Sequence, residues 1–347
     1  MRRFRHAMAL AIGLIAAGCA SGPAEPVASR ATETRAPTVA GATGTASPGP
    51  SLAPAFTETS DVVYMTINGV ELLTDIYAPL GDGPWPVVVA FHGLDSNGKD
   101  EADTAAIAEE AAAQGMVVFA PSWIVWDPGP FPFTLESFQG WKSAASCAVA
   151  FAQQHATDYG GDPATTIIYG FSAGAGAGLL AALEPSGDES PGCEADGGPA
   201  PLTGVVLGDG DYFLHTENFD DAFEADLNGM QLEVAALTDP AHWPPDLNAT
   251  FFLWVAAGGT NPRTIGDSTS ESGWLAQRDP DGSIRADLIR LNQLHDGIMS
   301  FIDAGQLLQL RLSEAGFEVF LDELPGGHTT LNKVRELVGY LNEAAAR

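Results

Sequence analysis

The sequence predicts an α/β protein whose mostly parallel central sheet is covered by helices on both faces. Short runs rich in Val, Ile and Phe alternate along the chain with helical stretches of ten or more residues. The run 86–91 is apolar throughout, as expected for a parallel strand that is buried on both faces. Two long segments, 209–248 and 260–295, interrupt the alternation, and we interpret them as insertions.

The predicted elements begin with a hairpin and then alternate. Asn68-Gly69 separates the first two strands and is a strong hairpin signal. Gly115 ends the first helix, because glycine is favoured just past a helix C-terminus. The predicted strands are 62–67, 71–77, 86–91, 116–120, 165–169, 203–207, 250–257 and 317–321. The predicted helices are 103–114, 136–155, 175–183, 302–315 and 330–346.

Residues 1–18 have the pattern of a targeting signal. A basic start precedes the apolar stretch 7–17, which is shorter than the roughly 20 residues that span a bilayer and is typical of a signal peptide. Ala16-Ala17-Gly18-Cys19 resembles a bacterial lipoprotein signal, in which the cysteine is lipidated. An ordinary secretory signal is the alternative. In either case we expect an extracytoplasmic protein, which is secreted or anchored to the cell membrane through Cys19.

Residues 19–58 are predicted to be a flexible linker, and residues 59–347 to form one large domain. The linker consists mainly of Ala, Pro, Ser, Thr and Gly, a composition that cannot bury a core. The net charge of −30 argues against nucleic acid and anionic membrane surfaces as partners. Membrane contact is therefore expected only through a lipid on Cys19. No Cys or His cluster has zinc-site spacing, so no metal or other cofactor is expected.

The motif Gly170-Phe171-Ser172-Ala173-Gly174 carries the chemistry. It follows the predicted strand 165–169 and opens a helix of small residues. A G-x-S-x-G motif at such a junction is a nucleophile elbow, in which the glycines allow a sharp turn that exposes the serine hydroxyl. Because the chain contains 39 glycines, a turn without catalytic function is the alternative interpretation.

Together with Tyr159-Gly160-Gly161-Asp162-Pro163, the elbow resembles α/β-hydrolases of the esterase, lipase and dienelactone-hydrolase type. The resemblance covers roughly residues 62–347 and implies the α/β-hydrolase fold. It also implies an oxyanion hole formed by the backbone N–H groups of Leu94, in the His92-Gly93-Leu94 loop, and Ala173. The loop Pro325-Gly326-Gly327-His328 resembles the catalytic-histidine loop of this superfamily, so His328 is the expected base.

The third member of the predicted triad, a carboxylate, is less clearly marked. In this family it usually follows the strand predicted at 250–257, where this chain has Asn261. An amide cannot stabilise an imidazolium as a carboxylate does. Asp296 matches the spacing of the family's acid loop to the following helix and is the preferred candidate. Asp267, which is nearer the strand end, is the second.

The order of Ser172, an acid and His328 predicts a serine hydrolase that cleaves small-molecule or lipid-like carboxylic esters through an acyl-enzyme. A serine peptidase of the same fold is one alternative. A membrane-tethered binding protein that has lost its acid is another, because of Asn261. The aromatic stretches 123–126 and 131–133 either line an acyl or alcohol pocket or pack on themselves.

Cys147 and Cys193 are expected to form a disulfide in an oxidising compartment. Cys147 lies in the helix before the elbow strand, and Cys193 lies after the elbow helix, so both flank one strand. Two unpaired cysteines are the alternative.

Overall fold

The computed structural model describes residues 55–93, 98–124, 135–183, 191–196, 199–210, 243–244, 247–257 and 301–347. The signal and most of the linker, with Cys19, lie outside the described residues. The same holds for most of both predicted insertions and for four predicted or discussed site positions: Leu94, Asn261, Asp267 and Asp296.

One sheet of eight strands runs through the described residues. The strands are β1 (Phe56–Ile67), β2 (Val70–Pro79), β3 (Trp85–Phe91), β4 (Val117–Pro121), β5 (Gly161–Phe171), β6 (Gly204–Gly208), β7 (Thr250–Ala257) and β8 (Val319–Pro325). Their spatial order is β1-β2-β4-β3-β5-β6-β7-β8. The pairs β1–β2 and β2–β4 are antiparallel, whereas all other neighbours are parallel. The predicted mostly parallel sheet is therefore confirmed.

Helices cover both faces of this sheet. The described helices are α1 (Ala102–Ala113), α2 (Leu135–His155), α3 (Ala173–Leu183), α4 (Phe301–Glu314) and α5 (Val334–Ala345). Buried side chains of α1 and α5 pack against one face, and those of α2, α3 and α4 pack against the other. The predicted layering is confirmed. None of the helices in the described ranges is long and apolar enough to cross a membrane.

Among the element boundaries that differ from the prediction, two have clear physical reasons. β1 pairs with β2 from Phe56 onward, so the strand includes residues that were assigned to the linker. This end of β1 is largely exposed and polar, and it therefore lacks the apolar alternation of a half-buried strand. The last helix begins at Val334 rather than at 330, because residues 326–333 form a loop beyond β8.

Candidate active site

Ser172 lies between the end of β5 and the start of α3, in a strained backbone conformation. Its φ angle is +56°, in the left-handed region that non-glycine residues rarely adopt. The turn is held on both sides, because the Ser172 N–H donates to the Gly208 carbonyl at 3.0 Å and the Ser172 carbonyl accepts from the Ala175 N–H at 3.0 Å. This conformation is the predicted elbow geometry.

The two glycines of the motif are required by close backbone approaches. A Cβ atom on Gly170 would lie 2.4 Å from the Gly174 carbonyl oxygen. A Cβ atom on Gly174 would lie 2.2 Å from the carbonyl oxygen of Phe91 and 2.3 Å from that of His92. The glycine spacing therefore allows α3 to start directly against the ends of β5 and β3.

His328 reaches Ser172 from the loop between β8 and α5. Its Nε2 atom lies 2.9 Å from Ser172 Oγ. The imidazole also packs against the Phe171 ring, with 4.7 Å between ring centroids, and its side chain is 33% exposed. The two residues, 156 positions apart in the chain, are thus brought within hydrogen-bonding distance.

The carboxylate beside His328 belongs to Asp209, the residue that follows β6. Its Oδ2 atom lies 3.0 Å from His328 Nδ1, and its side chain is only 1% exposed. The Asp209 Oδ1 atom accepts the Ala256 N–H at 2.6 Å, and the Asp209 N–H donates to the Trp254 carbonyl at 2.9 Å. Like Ser172, Asp209 has a φ angle in the left-handed region, at +43°, so the site contains two strained non-glycine residues. The carboxylate is therefore fixed to β7 through backbone groups while its free oxygen faces the imidazole.

This geometry corrects the expected identity of the acid. The sequence favours Asp296 and then Asp267, both outside the described residues, whereas Asp209 occupies the position at His328 Nδ1. The sequence pattern does not single out Asp209, because this residue begins a predicted insertion and the acid of this family usually follows the strand predicted at 250–257. A signal was present, since Asp209 directly follows a strand that neighbours the elbow strand, and parallel strands end at the same sheet edge.

The expected oxyanion hole is only half covered by the described residues. Ala173 is the first residue of α3 and directly follows Ser172, so its N–H is one of the free amides at a helix start. Leu94, the second expected donor, lies outside the described residues. The oxyanion-hole roles of Leu94 and Ala173 stay predictions.

The segment before Leu94 is anchored firmly. The Gly93 N–H donates to Glu101 Oε2 at 3.0 Å, and the same oxygen accepts the Thr104 hydroxyl at 2.9 Å. The buried His92 ring places Nδ1 2.6 Å from the Gly93 carbonyl oxygen, and the His92 carbonyl accepts the Trp123 indole N–H at 3.0 Å. Trp123, from the predicted aromatic loop, is itself buried. Its ring therefore supports the end of β3.

Cys147 and Cys193 lie beside each other, as expected. Their Cα atoms are 5.7 Å apart, a usual separation for a disulfide. Next to Cys193, the Gly192 carbonyl accepts the Thr66 N–H at 2.8 Å, which ties this segment to β1. Formation of the bridge stays a prediction.

The strand order, the elbow after β5 and the histidine loop after β8 define the α/β-hydrolase fold. A family model described as BD-FAE matches residues 74–197. No curated protein matches the chain.

Two solved structures have the same fold at low sequence identity. An esterase from the Planctomycetes species Thermogutta terrifontis, with propionate bound, has a TM-score of 0.54 and 18% identity, covering 85% of this chain and 94% of that one. A truncated carbohydrate esterase from gut microbiota has a TM-score of 0.54 and 15% identity, covering 86% of this chain and 100% of that one. The chain is therefore an α/β-hydrolase in fold.

Proposed function

We propose that the protein is a serine hydrolase that cleaves carboxylic esters through an acyl-enzyme intermediate. The observation that carries this proposal is the continuous contact from Asp209 Oδ2 to His328 Nδ1 and from His328 Nε2 to Ser172 Oγ. These are the relations of nucleophile, base and orienting acid in a Ser-His-Asp triad. In this proposal Asp209 takes the role that the sequence assigned to Asp296.

The contacts assign a role to each side chain. Asp209 accepts a hydrogen bond from the N–H of His328 Nδ1, so the unprotonated Nε2 can remove the Ser172 hydroxyl proton as Oγ attacks the ester carbonyl. His328 then donates this proton to the departing alkoxide, which leaves as the alcohol. In the second half, His328 takes a proton from the water that attacks the acyl-enzyme, and it returns this proton to Ser172 Oγ as the carboxylic acid is released. The Asp209 carboxylate stabilises the imidazolium that forms in each half.

The charge that develops on the carbonyl oxygen needs hydrogen-bond donors. In the proposed mechanism these are the N–H groups of Ala173 and Leu94, and each such donor is typically worth about 3 kcal/mol of transition-state stabilisation. The anchoring of Gly93 by Glu101 supports this role, because it fixes the backbone that immediately precedes Leu94.

Two observations favour ester hydrolysis over the alternatives. The binding-protein hypothesis depended on a missing carboxylate, and Asp209 provides one at the required position. The two solved structures compared above are both described as esterases, which supports an ester rather than a peptide substrate. We therefore propose a small-molecule or lipid-like ester as the substrate. We further propose that the protein acts outside the cytoplasm, anchored by a lipid on Cys19 or secreted.

The test is turnover of 4-nitrophenyl acetate and butyrate by the full chain and by Ser172→Ala. We expect turnover to fall by about 10³-fold or more, because the nucleophile is lost. Ser60→Ala, which removes an exposed serine hydroxyl on β1, is the matched control and should retain full activity. A fluorophosphonate should label Ser172 covalently in the wild type. Unchanged turnover in Ser172→Ala would refute the proposal.

A further inference from the structure

The loop that carries His328 has no regular secondary structure to hold it. It connects the end of β8 at Pro325 with the start of α5 at Val334 and contains Gly326 and Gly327. Gly326 has a φ angle of +108°, a conformation that other residues rarely adopt. A catalytic imidazole must be held within about 0.5 Å of its productive position. Some other part of the protein must therefore fix this loop.

Asp103, in the first turn of α1, holds the residues just after His328. Its Oδ1 atom accepts the Thr329 hydroxyl at 2.7 Å and also accepts the Thr330 N–H. The Thr330 hydroxyl lies 2.8 Å from the same oxygen and 3.0 Å from the Asp103 carbonyl oxygen. Thr330 is fully buried. One carboxylate, from a residue 226 positions before Thr329 in the chain, thus fixes two consecutive residues of the loop.

Lys333 holds the loop on both sides of His328. Its ammonium donates to the carbonyl oxygens of Gly327 at 2.8 Å and Thr329 at 2.7 Å, the two residues that flank His328. A third bond goes to the Asn332 side-chain oxygen at 3.1 Å, so every ammonium proton has an acceptor. Lys333 is only 2% exposed, which is rare for a lysine.

Lys333 also interacts with residues of the site that lie outside the loop. Its ammonium lies 5.4 Å from the centroid of the Trp254 ring, which stacks on Phe171, the residue against which His328 packs. Burial lowers the pKa of the Lys333 ammonium, while the carboxylates of Asp209 and Asp103 oppose this effect. The ammonium thus interacts electrostatically with both carboxylates.

We propose that Asp103 and Lys333 are positioning residues that hold the His328 loop so that the imidazole meets Ser172 and Asp209 together. The proposal rests on the catalytic roles given above for these three residues. Asp103 binds the donors of the loop and Lys333 binds its acceptors, so the two charges fix complementary sides of the same backbone. In this proposal both residues act through His328 rather than directly on Ser172 or the substrate.

The experiment compares Lys333→Met, Asp103→Ala and Thr329→Val with the wild type in the full chain. We expect kcat for 4-nitrophenyl butyrate to fall by about 10- to 100-fold, because a displacement of about 1 Å can cost that much. KM should change by less than about threefold, since the substrate contacts remain. Glu109→Ala removes the same charge from an exposed position of α1 and should leave kcat unchanged. Thr329→Ser keeps the hydroxyl and should retain activity.

A second readout does not depend on ester turnover. The His328 Nδ1 proton in its hydrogen bond to Asp209 should give a downfield proton NMR signal, assigned by its absence in His328→Ala. We expect the three test variants to shift or broaden this signal and Glu109→Ala to preserve it. If the wild type shows the signal without turnover, the proposed function fails and the signal alone decides the roles of Asp103 and Lys333.

Unchanged kcat and an unchanged signal in variants that only melt at lower temperature would show a purely structural role and overturn the proposal. Thr329→Val, which removes one hydroxyl at nearly constant shape, decides the question if Lys333→Met does not fold.

Discussion

The Asp209 carboxylate lies 3.0 Å from Nδ1 of His328, a residue 119 positions further along the chain. Its other oxygen accepts the Ala256 N–H at 2.6 Å. Rotation of the carboxylate would therefore leave buried polar atoms without a hydrogen bond. This arrangement favours the tautomer with the proton on Nδ1 and leaves Nε2 as the acceptor for the Ser172 hydroxyl. Asp209 is therefore held by a hydrogen bond from β7, although it follows β6 in the chain.

Asp209→Asn tests whether this carboxylate completes the site. Asparagine retains an oxygen for the Ala256 N–H, so the fold should persist with little change in melting temperature. The amide cannot stabilise the imidazolium and favours the wrong tautomer, so kcat should fall by about 10³- to 10⁴-fold. Steady-state hydrolysis of 4-nitrophenyl butyrate near neutral pH provides the measurement.

Asp296→Asn and Asp267→Asn are the matched controls, because these are the carboxylates that the sequence favours. We expect each to retain wild-type kcat to within about twofold. A large loss in Asp296→Asn together with near-normal activity in Asp209→Asn would return the role to Asp296.

Gly174→Ala should disrupt the elbow. The new methyl group would lie 2.2 Å and 2.3 Å from two backbone carbonyl oxygens, which cannot move without displacing the end of β3. We expect a loss of about 3 kcal/mol or more in the free energy of unfolding, or a failure to fold. Urea denaturation followed by circular dichroism measures the change.

Gly339→Ala is the control for that substitution. Gly339 also lies within a helix, α5, but a Cβ atom there would have no neighbouring atom within 4 Å outside its own helical turn. Alanine there should raise the free energy of unfolding by about 0.5–1 kcal/mol, because it restricts the unfolded chain and favours the helix. Equal effects of the two substitutions would show that the close approach at Gly174 is not what requires glycine.

Much of the site was accessible to sequence reasoning because its signals are local. Ser172 is marked by flanking glycines between a strand and a helix, and His328 by a glycine-rich loop after the last strand. The alternation of buried strands and helices likewise predicts the layers. Asp209 has no comparable local signal, since any strand end on the same sheet edge could supply the carboxylate. The strand end that supplies the carboxylate is determined by the path of the loop and by the position of the Ala256 N–H. Both are properties of the assembled sheet.

Asp103 and Lys333 were not predicted for the same reason. Asp103 appears in the sequence as an ordinary acidic residue of a helix first turn, and Lys333 as a surface-type residue within the predicted helix 330–346. Only the packing of α1 beside the loop before α5 buries Lys333 and brings Asp103 to Thr329 and Thr330. Polar residues that act through contacts with distant parts of the chain have no local signal in the sequence.

Asp75→Asn should destabilise the segment that follows the predicted oxyanion loop. Lys99 forms ion pairs at 2.9 Å with Asp75 and 2.8 Å with Asp100, and the side chains of Lys99 and Asp75 are only 9% and 5% exposed. Removing one charge of a buried pair typically costs about 3–5 kcal/mol, and we expect the lower end because Asp100 and Asp61 remain. The free energy of unfolding in urea is the relevant quantity.

Asp100→Asn serves for comparison, since the Asp100 side chain is 66% exposed and its ion pair is screened by solvent. We expect a loss below about 1 kcal/mol. A cost as large as that of Asp75→Asn would mean that burial does not determine the strength of these pairs.

Cys19→Ala tests the proposed lipid anchor. If Cys19 is lipidated, the wild type should fractionate with membranes of an expressing bacterium and partition into detergent, because an acyl chain adds about 0.8 kcal/mol of membrane affinity per buried CH₂. The variant should lose the lipid and leave the membrane fraction. Mass spectrometry of the mature N-terminus checks the modification. An unmodified wild-type N-terminus at another residue would instead indicate an ordinary secretory signal.

The Cys147–Cys193 bridge is testable by counting thiols in a Cys19→Ala background. After denaturation without reductant, no thiol should react with an alkylating reagent, and two should react after reduction. Because the bridge closes a loop of 46 residues, reduction should lower the free energy of unfolding by about 2–4 kcal/mol. Adding Cys147→Ser and Cys193→Ser should make stability insensitive to reductant and equal to that of the reduced protein. Two reactive thiols before reduction would show that the cysteines remain unpaired.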